Sequence, residues 1–247
     1  MNIVRNPTNK HLEDIEKWLK EEEEVSGSSF ICNWRIIEEC YSEKRMIIMA
    51  KKNNVEAFFI WSDGNKVVDC LIAVVKPALR GQGLGSRFIG EVLKCLRQDF
   101  GVWAVELQCK PLQSESFWRL NGFIDYPANH PRRAEHGTHL YKNLFQDEKP
   151  VESKFQSVLL EIWCRAPLGV SETDEPDFQI TTSLIKDNKF FPAIVFPVSN
   201  DWTVKIKVDG ETITKGKVKH VLPDGSRCNG FIALDELGLV EKMQSST

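Results

Sequence analysis

Three runs rich in β-branched and aromatic residues follow one another at 46–50, 55–61 and 66–75. Residues 51–54 and Ser62-Asp63-Gly64-Asn65 separate them, and Asp-Gly between apolar runs signals a hairpin. This spacing predicts an antiparallel meander of three strands. The last strand ends at Lys76-Pro77, because proline has no N–H to give to a ladder. Ala78-Leu79-Arg80-Gly81-Gln82-Gly83-Leu84-Gly85-Ser86 comes next. Phe88, Ile89, Val92, Leu93 and Leu96 then recur at helical spacing, which predicts an amphipathic helix to about residue 98. A strand that passes through glycines into a helix leaves free backbone N–H groups at the helix start. The helix dipole adds positive potential there, so the turn suits a phosphate or diphosphate. Two familiar sites are excluded. A dinucleotide site carries G-x-G-x-x-G, whereas Gly81, Gly83 and Gly85 are spaced G-x-G-x-G after a meander, and no Lys-Ser/Thr follows to make a P-loop. On spacing alone, a tight turn that merely needs glycine stays open as the other reading.

Around this centre the chain reads as alternating helices and strands. Residues 2–7 suit a short first strand. Leu12, Ile15, Trp18 and Leu19 mark a helix over 10–24, with Asn9 as the expected N-cap and an acidic first turn. The run Glu21-Glu22-Glu23-Glu24 reads as a solvated helix end. Residues 25–29 form a loop, and 30–41 a second helix with Trp34, Ile37, Cys40 and Tyr41 on one side. After the glycine turn come a strand at 102–109, a short helix at 112–121 ended by Gly122, and strands at 123–126 and 138–144. The loop 127–137 between them carries Arg132, Arg133, His130 and His136, with His139 close by. The histidine gaps are irregular and no cysteine or carboxylate pattern supports them, so no metal is expected.

The polar stretch Gln146-Asp147-Glu148-Lys149-Pro150 suits a domain border. Beyond it, 155–163 fits a helix or a strand and 166–178 a loop. Short strands are expected at 178–185, 190–196, 202–208, 212–222 and 229–234, with turns at Asp209-Gly210 and Pro223-Asp224-Gly225-Ser226. Five strands at this spacing suggest a small barrel or sandwich. The domains expected are thus 1–146 and 150–247. Lys205 and Lys207, with Lys215, Lys217 and Lys219, alternate along two neighbouring strands, and a solvated β face is the simpler account of them than a contact with nucleic acid.

Composition narrows the partners. Lys+Arg 32 against Asp+Glu 35 gives net −3, so a sequence-independent nucleic-acid coat is not indicated, since that mode needs a cationic surplus. No run of about 18 apolar residues exists, so no membrane span is expected. The start is polar and without a signal-peptide pattern, and the seven cysteines show no C-x-x-C pair. Reduced thiols in the cytoplasm are expected.

The stretch from Val75 to Gly85 resembles the coenzyme-A motif of the GNAT acetyltransferases, Gln/Arg-x-x-Gly-x-Gly/Ala, with Arg80, Gly83 and Gly85 at its three fixed positions. Ser114-Glu115-Ser116-Phe117-Trp118-Arg119-Leu120-Asn121-Gly122-Phe123 is similar to the family's second signature, a short helix ending in aromatic-x-x-x-Gly-Phe. The element order over roughly the first 145 residues also matches. The fold class implied is α/β (α+β): a mixed, mostly antiparallel sheet flanked by helices, followed by a second, small, mainly-β domain outside the resemblance. The resemblance implies acetyl-CoA as cosubstrate and transfer of its acetyl group to a primary amine. The backbone amides of Arg80, Gly81, Gln82, Gly83, Leu84, Gly85 and Ser86 would hold the diphosphate. Free backbone groups near Ala73 and Val75 would bond the pantetheine arm, in a gap between the strands ending at Val75 and Cys109. Trp118 would border the same arm.

Acetyl transfer to an amine needs a base for the amine, a donor for the developing oxyanion and an acid for the leaving thiolate. The oxyanion donor would be a backbone N–H near Val75. Asp69, six residues before Val75, stands where some family members carry a base glutamate and would act through water. Glu106, on the opposite strand, is the other candidate base. The family's usual acid is a tyrosine at the place held here by Trp118, whose indole has no usable acidity. Tyr126 or Tyr141 would substitute, or the thiolate would leave unassisted. An asparagine often seen eleven residues before the signature glycine is replaced by Pro111. Two functions follow. One is an N-acetyltransferase for an unidentified amine acceptor, as a monomer or homodimer. The alternative is a catalytically degenerate coenzyme-A-binding module whose C-terminal β domain binds a protein or nucleic-acid partner.

Overall fold

Helices give way to strands at Met46, where the sequence changes period. The computed structural model describes residues 2–145, 148–150, 156–171, 173–222 and 224–237. By internal contacts the chain divides into Met1–Phe123 and Ile124–Thr247. The linker expected at 146–150 lies partly outside the described residues.

The first unit contains β1 (Asn2–Val4), α1 (Asn9–Ser26), α2 (Trp34–Ser42), β2 (Met46–Lys51), β3 (Asn54–Trp61), β4 (Val67–Val75), α3 (Leu84–Phe100), β5 (Ala104–Gln108) and α4 (Glu115–Leu120). Strands β1 to β5 lie side by side in chain order. All neighbours are antiparallel except β4 and β5, which are parallel. The expected mixed, mostly antiparallel sheet flanked by helices is what the chain forms. Its α1 and α2 face packs Ile15, Trp18, Leu19, Ile37 and Cys40 onto Ile48, Phe58, Ile60, Ile72 and Val74 in one buried cluster. On the other face α3 packs on β3 and β4, and Phe100 at its end meets Trp61 edge-on at 5.0 Å. The α3 spacing read from the sequence is the observed one: Phe88, Ile89, Val92, Leu93 and Leu96 are all buried.

The start of α1 corrects the sequence reading. Thr8, not Asn9, is the N-cap, and the first turn holds no acid. The Nδ1 of His11 accepts the Thr8 N–H at 3.0 Å. A histidine therefore plays the reciprocal part that a carboxylate or amide plays in the usual capping box. The helix closes on Gly27, whose φ of 68° lets its N–H reach the Glu23 carbonyl.

The second unit contains β6 (Ile124–Asp125), α5 (Pro131–Ala134), β7 (His139–Asn143), β8 (Gln156–Trp163), β9 (Phe178–Ile185), β10 (Lys189–Pro197), β11 (Thr203–Val208), β12 (Glu211–Lys217), α6 (Val218–Val221), β13 (Arg227–Cys228) and β14 (Phe231–Glu236). Strands β6 and β7 pair antiparallel. The rest form one seven-stranded sheet ordered β12-β11-β8-β9-β10-β14-β13. A two-sheet sandwich is thereby overturned. Residues from β8, β9, β10, β11 and β14 share one apolar cluster with Val218 and Leu222, so the sheet curls around its own core as an incomplete barrel would. Two local expectations also change. The loop 127–137 contains α5, opened by His130 and Pro131. The strand expected at 212–222 stops at Lys217, and Lys219 belongs to α6. The turn residue Pro223 lies outside the described residues.

Candidate functional site

Strand β4 has two different neighbours. Against β3 the pairs run Ala57↔Val75, Phe58↔Val74, Phe59↔Ala73 and Ile60↔Ile72. The Lys76 N–H donates to the Glu56 carbonyl at 2.8 Å. Bonding pairs alternate along an antiparallel ladder, so Val74 and Ile72 also bond β3, while Val75 and Ala73 turn their polar backbone groups away from it. On that far side β5 pairs only at Val67↔Ala104, Val68↔Val105 and Asp69↔Glu106. Beyond Asp69 the two parallel strands separate. Ala73 and Val75 therefore face the gap in which the sequence reading put the pantetheine arm.

A bulge sits at the head of this gap. Ile60 pairs with Ile72 but Trp61 pairs with Cys70, so Leu71 is the extra residue. A bulge shifts the alternation by one. Before it, Cys70 shares the face of Trp61, which is the α3 face, and Asp69 shares the face of α1 and α2. Register partners point to one face, so Glu106 joins Asp69 there, about 5 Å away across the strand spacing. The structure thus brings the two candidate bases together at the last paired position before the gap. Asp69 is half-buried and Glu106 only 3% exposed. Leu71 is 41% exposed.

The glycine turn closes the other end of the gap. Gly81 and Gly83 have φ of 76° and 75°, a left-handed backbone that side chains other than glycine's strain to adopt. Residues Arg80, Gly81, Gln82, Gly83 and Ser86 are exposed. Gly83 caps α3 without any side-chain hydrogen bond, and the first turn holds no acid. The amides of Leu84, Gly85 and Ser86 thus open an uncapped helix of 17 residues. Gly85 has a separate reason. A Cβ there would lie 3.0 Å from Cε2 and 3.3 Å from Cζ of Phe117, so the glycine seats a ring. Asn121 donates from Nδ2 to the Phe117 carbonyl at 2.7 Å and to Ser86 Oγ at 3.3 Å, tying α4 to the start of α3. Trp118 is buried edge-on between Phe117 and Phe123, with both centroids at 5.1 Å.

Tyr126 and Tyr141 lie in the second unit. They meet at 5.0 Å, and Phe231 touches both, at 5.9 and 5.5 Å. Burial pushes the Tyr141 hydroxyl up to about 12. His130 stacks on Tyr126 at 4.7 Å and turns its edge to Trp202 at 5.8 Å. Burial holds its pKa below the usual histidine value. Among the described residues no group of three His, Cys, Asp or Glu side chains could hold a metal ion, and no helix is long and apolar enough to cross a membrane. Lysines of β11, β12 and α6 share their charge with acids: Lys207 bonds Glu161 at 3.0 Å, and Lys217 and Lys219 flank Asp201 at 3.3 and 2.9 Å.

Two residues were misread or missed in the sequence. Glu22, placed in a solvated run, has a side chain only 10% exposed. Its spacing of seven from Ile15 and four from Trp18 puts it on the buried stripe of α1. Phe117 precedes the signature aromatic and was passed over.

No protein-family model and no curated protein sequence matches this chain. Solved structures of similar fold include YhbS, a GNAT family N-acetyltransferase from Escherichia coli in complex with CoA, at 17% identity and TM-score 0.46, covering 59% of this chain and 82% of that one. Ard1 from Thermoplasma volcanium matches at 15% identity and TM-score 0.44, covering 57% and 96%. N-acetylglutamate synthase from Neisseria gonorrhoeae, complexed with coenzyme A and N-acetyl-glutamate, matches at 13% and 0.44, covering 58% of this chain and 35% of its own length. The likeness is one of fold, at TM-scores below 0.5.

Proposed function

We propose that the first part of the chain, residues 1–146, binds acetyl-CoA and transfers its acetyl group to a primary amine. The observation that carries this reading is a coincidence of position. The strand whose edge is left open at Ala73 and Val75 runs straight into left-handed glycines and an uncapped helix start. An extended amide-bearing arm ending in a diphosphate fits that sequence of donors and acceptors. The amides of 81–86 bind the diphosphate, and Ala73 and Val75 bond the arm. The thioester then comes to the head of the gap, where Asp69 and Glu106 stand. Acetyl-CoA supplies the activated acetyl group. Asp69, through water, or Glu106 takes the ammonium proton so that the amine can attack, and a backbone N–H of the gap faces the developing oxygen charge. Trp118 supplies no proton. Thiols titrate near 8.5, so the thiolate leaves either unassisted or with a proton from Tyr126 or Tyr141. Residues 150–247 shape the acceptor site, pair two copies or recruit a partner.

The occupant of position 118 favours a second reading, a module that binds coenzyme A without turnover. The test is thiol release from acetyl-CoA with polyamines, aminoglycosides and peptides, beside calorimetric binding of acetyl-CoA. Turnover with any acceptor establishes the enzyme. Tight binding with no acceptor establishes the module. Absence of binding refutes both.

A further inference from the structure

Arg80 holds the first fixed position of the glycine motif, yet its side chain turns back into the protein. Its Nε donates to the Val75 carbonyl at 2.8 Å. Its Nη2 bonds Glu22 Oε1 at 2.7 Å. One guanidinium thus joins the end of β4, the start of the glycine turn and the last turns of α1. Glu22 is nine-tenths buried, and its other oxygen, Oε2, is enclosed without a hydrogen-bond partner. A carboxylate held by one cation through one oxygen is an expensive way to finish a helix. An apolar residue would complete the stripe of Ile15, Trp18 and Leu19 at lower cost. The carboxylate is explained if its task is to fix Arg80.

We infer that Glu22 is a positioning residue: through Arg80 it sets the glycine turn in its anion-binding shape and couples that turn to α1. The coupling has a direction. Helix α1 lies over the sheet face that carries Asp69 and Glu106, so whatever orders the turn also orders one wall above the candidate bases. Arg80 also occupies the Val75 carbonyl, which leaves the Val75 N–H and the Ala73 groups as those offered to a ligand. The proposal rests on the acetyl-CoA reading only for what the turn binds; the latch itself belongs to the free protein.

The experiment is amide hydrogen exchange on the full chain without ligand, with calorimetry of acetyl-CoA beside it. In Glu22→Ala, exchange of the hydrogen-bonded amides that frame the turn, those of Leu79, Arg80 and Arg87, rises about tenfold relative to those of the α3 core at 88–96, as the loss of one charge-assisted hydrogen bond implies. Glu22→Gln keeps an oxygen acceptor for Arg80 and stays near wild type. Arg80→Lys cannot serve Val75 and Glu22 together, so it loosens the turn without emptying the pocket under α1. It tests the latch even where Glu22→Ala fails to fold. A residue that only stabilised the fold would speed exchange in turn and helix core alike. Uniform exchange in both Glu22→Ala and Arg80→Lys overturns the latch. Acetyl-CoA affinity in the two loosened variants falls about tenfold. If wild type binds no acetyl-CoA, the functional reading fails, while the exchange ratio still decides the latch.

Discussion

Gly83 and Gly85 share a motif but not a reason, and Gly85→Ala separates them. Position 85 lies in the first turn of α3 with ordinary helical φ, so alanine brings no backbone strain and gains up to about 1 kcal/mol of helix propensity. Against this, the new Cβ meets Phe117 Cε2 at 3.0 Å and Cζ at 3.3 Å, with Val75 Cγ2 at 3.7 Å. Carbon atoms settle at about 3.5–4.0 Å, so the ring must move by about half an ångström. Valine at β4 and Trp118 on the ring's flank limit where it can go. Overpacking of this kind costs about 1–3 kcal/mol. The net expectation in the wild-type background is a loss of about 0–2 kcal/mol. In a Phe117→Ala background the clash is gone and the helix gain remains. A double-mutant cycle, read from urea unfolding midpoints and m-values, should therefore give a coupling of about 1–3 kcal/mol. A coupling below about 0.5 kcal/mol, the level of independent sites, would refute the seat. The amide of residue 85 survives the substitution, so acetyl-CoA affinity should follow the ring's displacement rather than the loss of a donor.

Gly83→Val should abolish acetyl-CoA binding with the circular dichroism spectrum unchanged, because a β-branched residue resists φ near 75° and re-aims the amides at the helix start; retained calorimetric affinity would remove the diphosphate assignment. Asp69→Asn and Glu106→Gln should each leave acetyl-CoA affinity within about threefold, and at least one should lower turnover by about 10²–10⁴, the range of general-base catalysis; two fully active variants would exclude both carboxylates. Tyr126→Phe and Tyr141→Phe should leave turnover within about threefold if the thiolate departs unassisted, and a drop of about a hundredfold in either would identify the acid. His130 has its pKa depressed by burial, so the unfolded chain takes up a proton first as pH falls. Stability present above about 6.5 should decline as pH drops through the folded-state value, and His130→Phe, which keeps the stack on Tyr126, should flatten that decline in urea unfolding followed from pH 8 to 5.

The elements that were legible in the sequence share one property: their hydrophobic period is uninterrupted. The meander 46–75, helix α3 and the strands expected at 178–185, 190–196 and 202–208 kept their periods and could be placed to within a few residues. The geometry of the candidate site was legible where glycine carries a local signal, as at the left-handed Gly83. It was not legible where the cause is tertiary. Thr8 outranks Asn9 as a cap because His11 answers it, and nothing in a propensity ranks histidine as a reciprocal partner. Glu22 looked solvated because it sits among three other glutamates, although its helical phase already put it beneath α1. After residue 150 the sequence left a barrel and a sandwich both open, because strand number and spacing do not say whether a sheet meets a second sheet or curls on itself.

The bulge at Leu71 decides which face of the sheet Asp69 takes. Strict alternation over β4 would put Asp69, Ala73 and Val75 on one face, the face covered by α3. The extra residue reverses the phase, so Asp69 crosses to the face of α1 and α2 while Ala73 and Val75 keep their backbone groups in the gap. Parallel pairing then carries Glu106 across with it, because register partners cannot take opposite faces. The bulge and the divergence of β5 are adjacent on the strand, and each depends on the other. An extra residue increases local twist, and added twist in β4 draws its C-terminal half away from β5 at the point where pairing stops. One inserted leucine in a strand of nine residues therefore accounts for both the gap beside β4 and the face that Asp69 and Glu106 share.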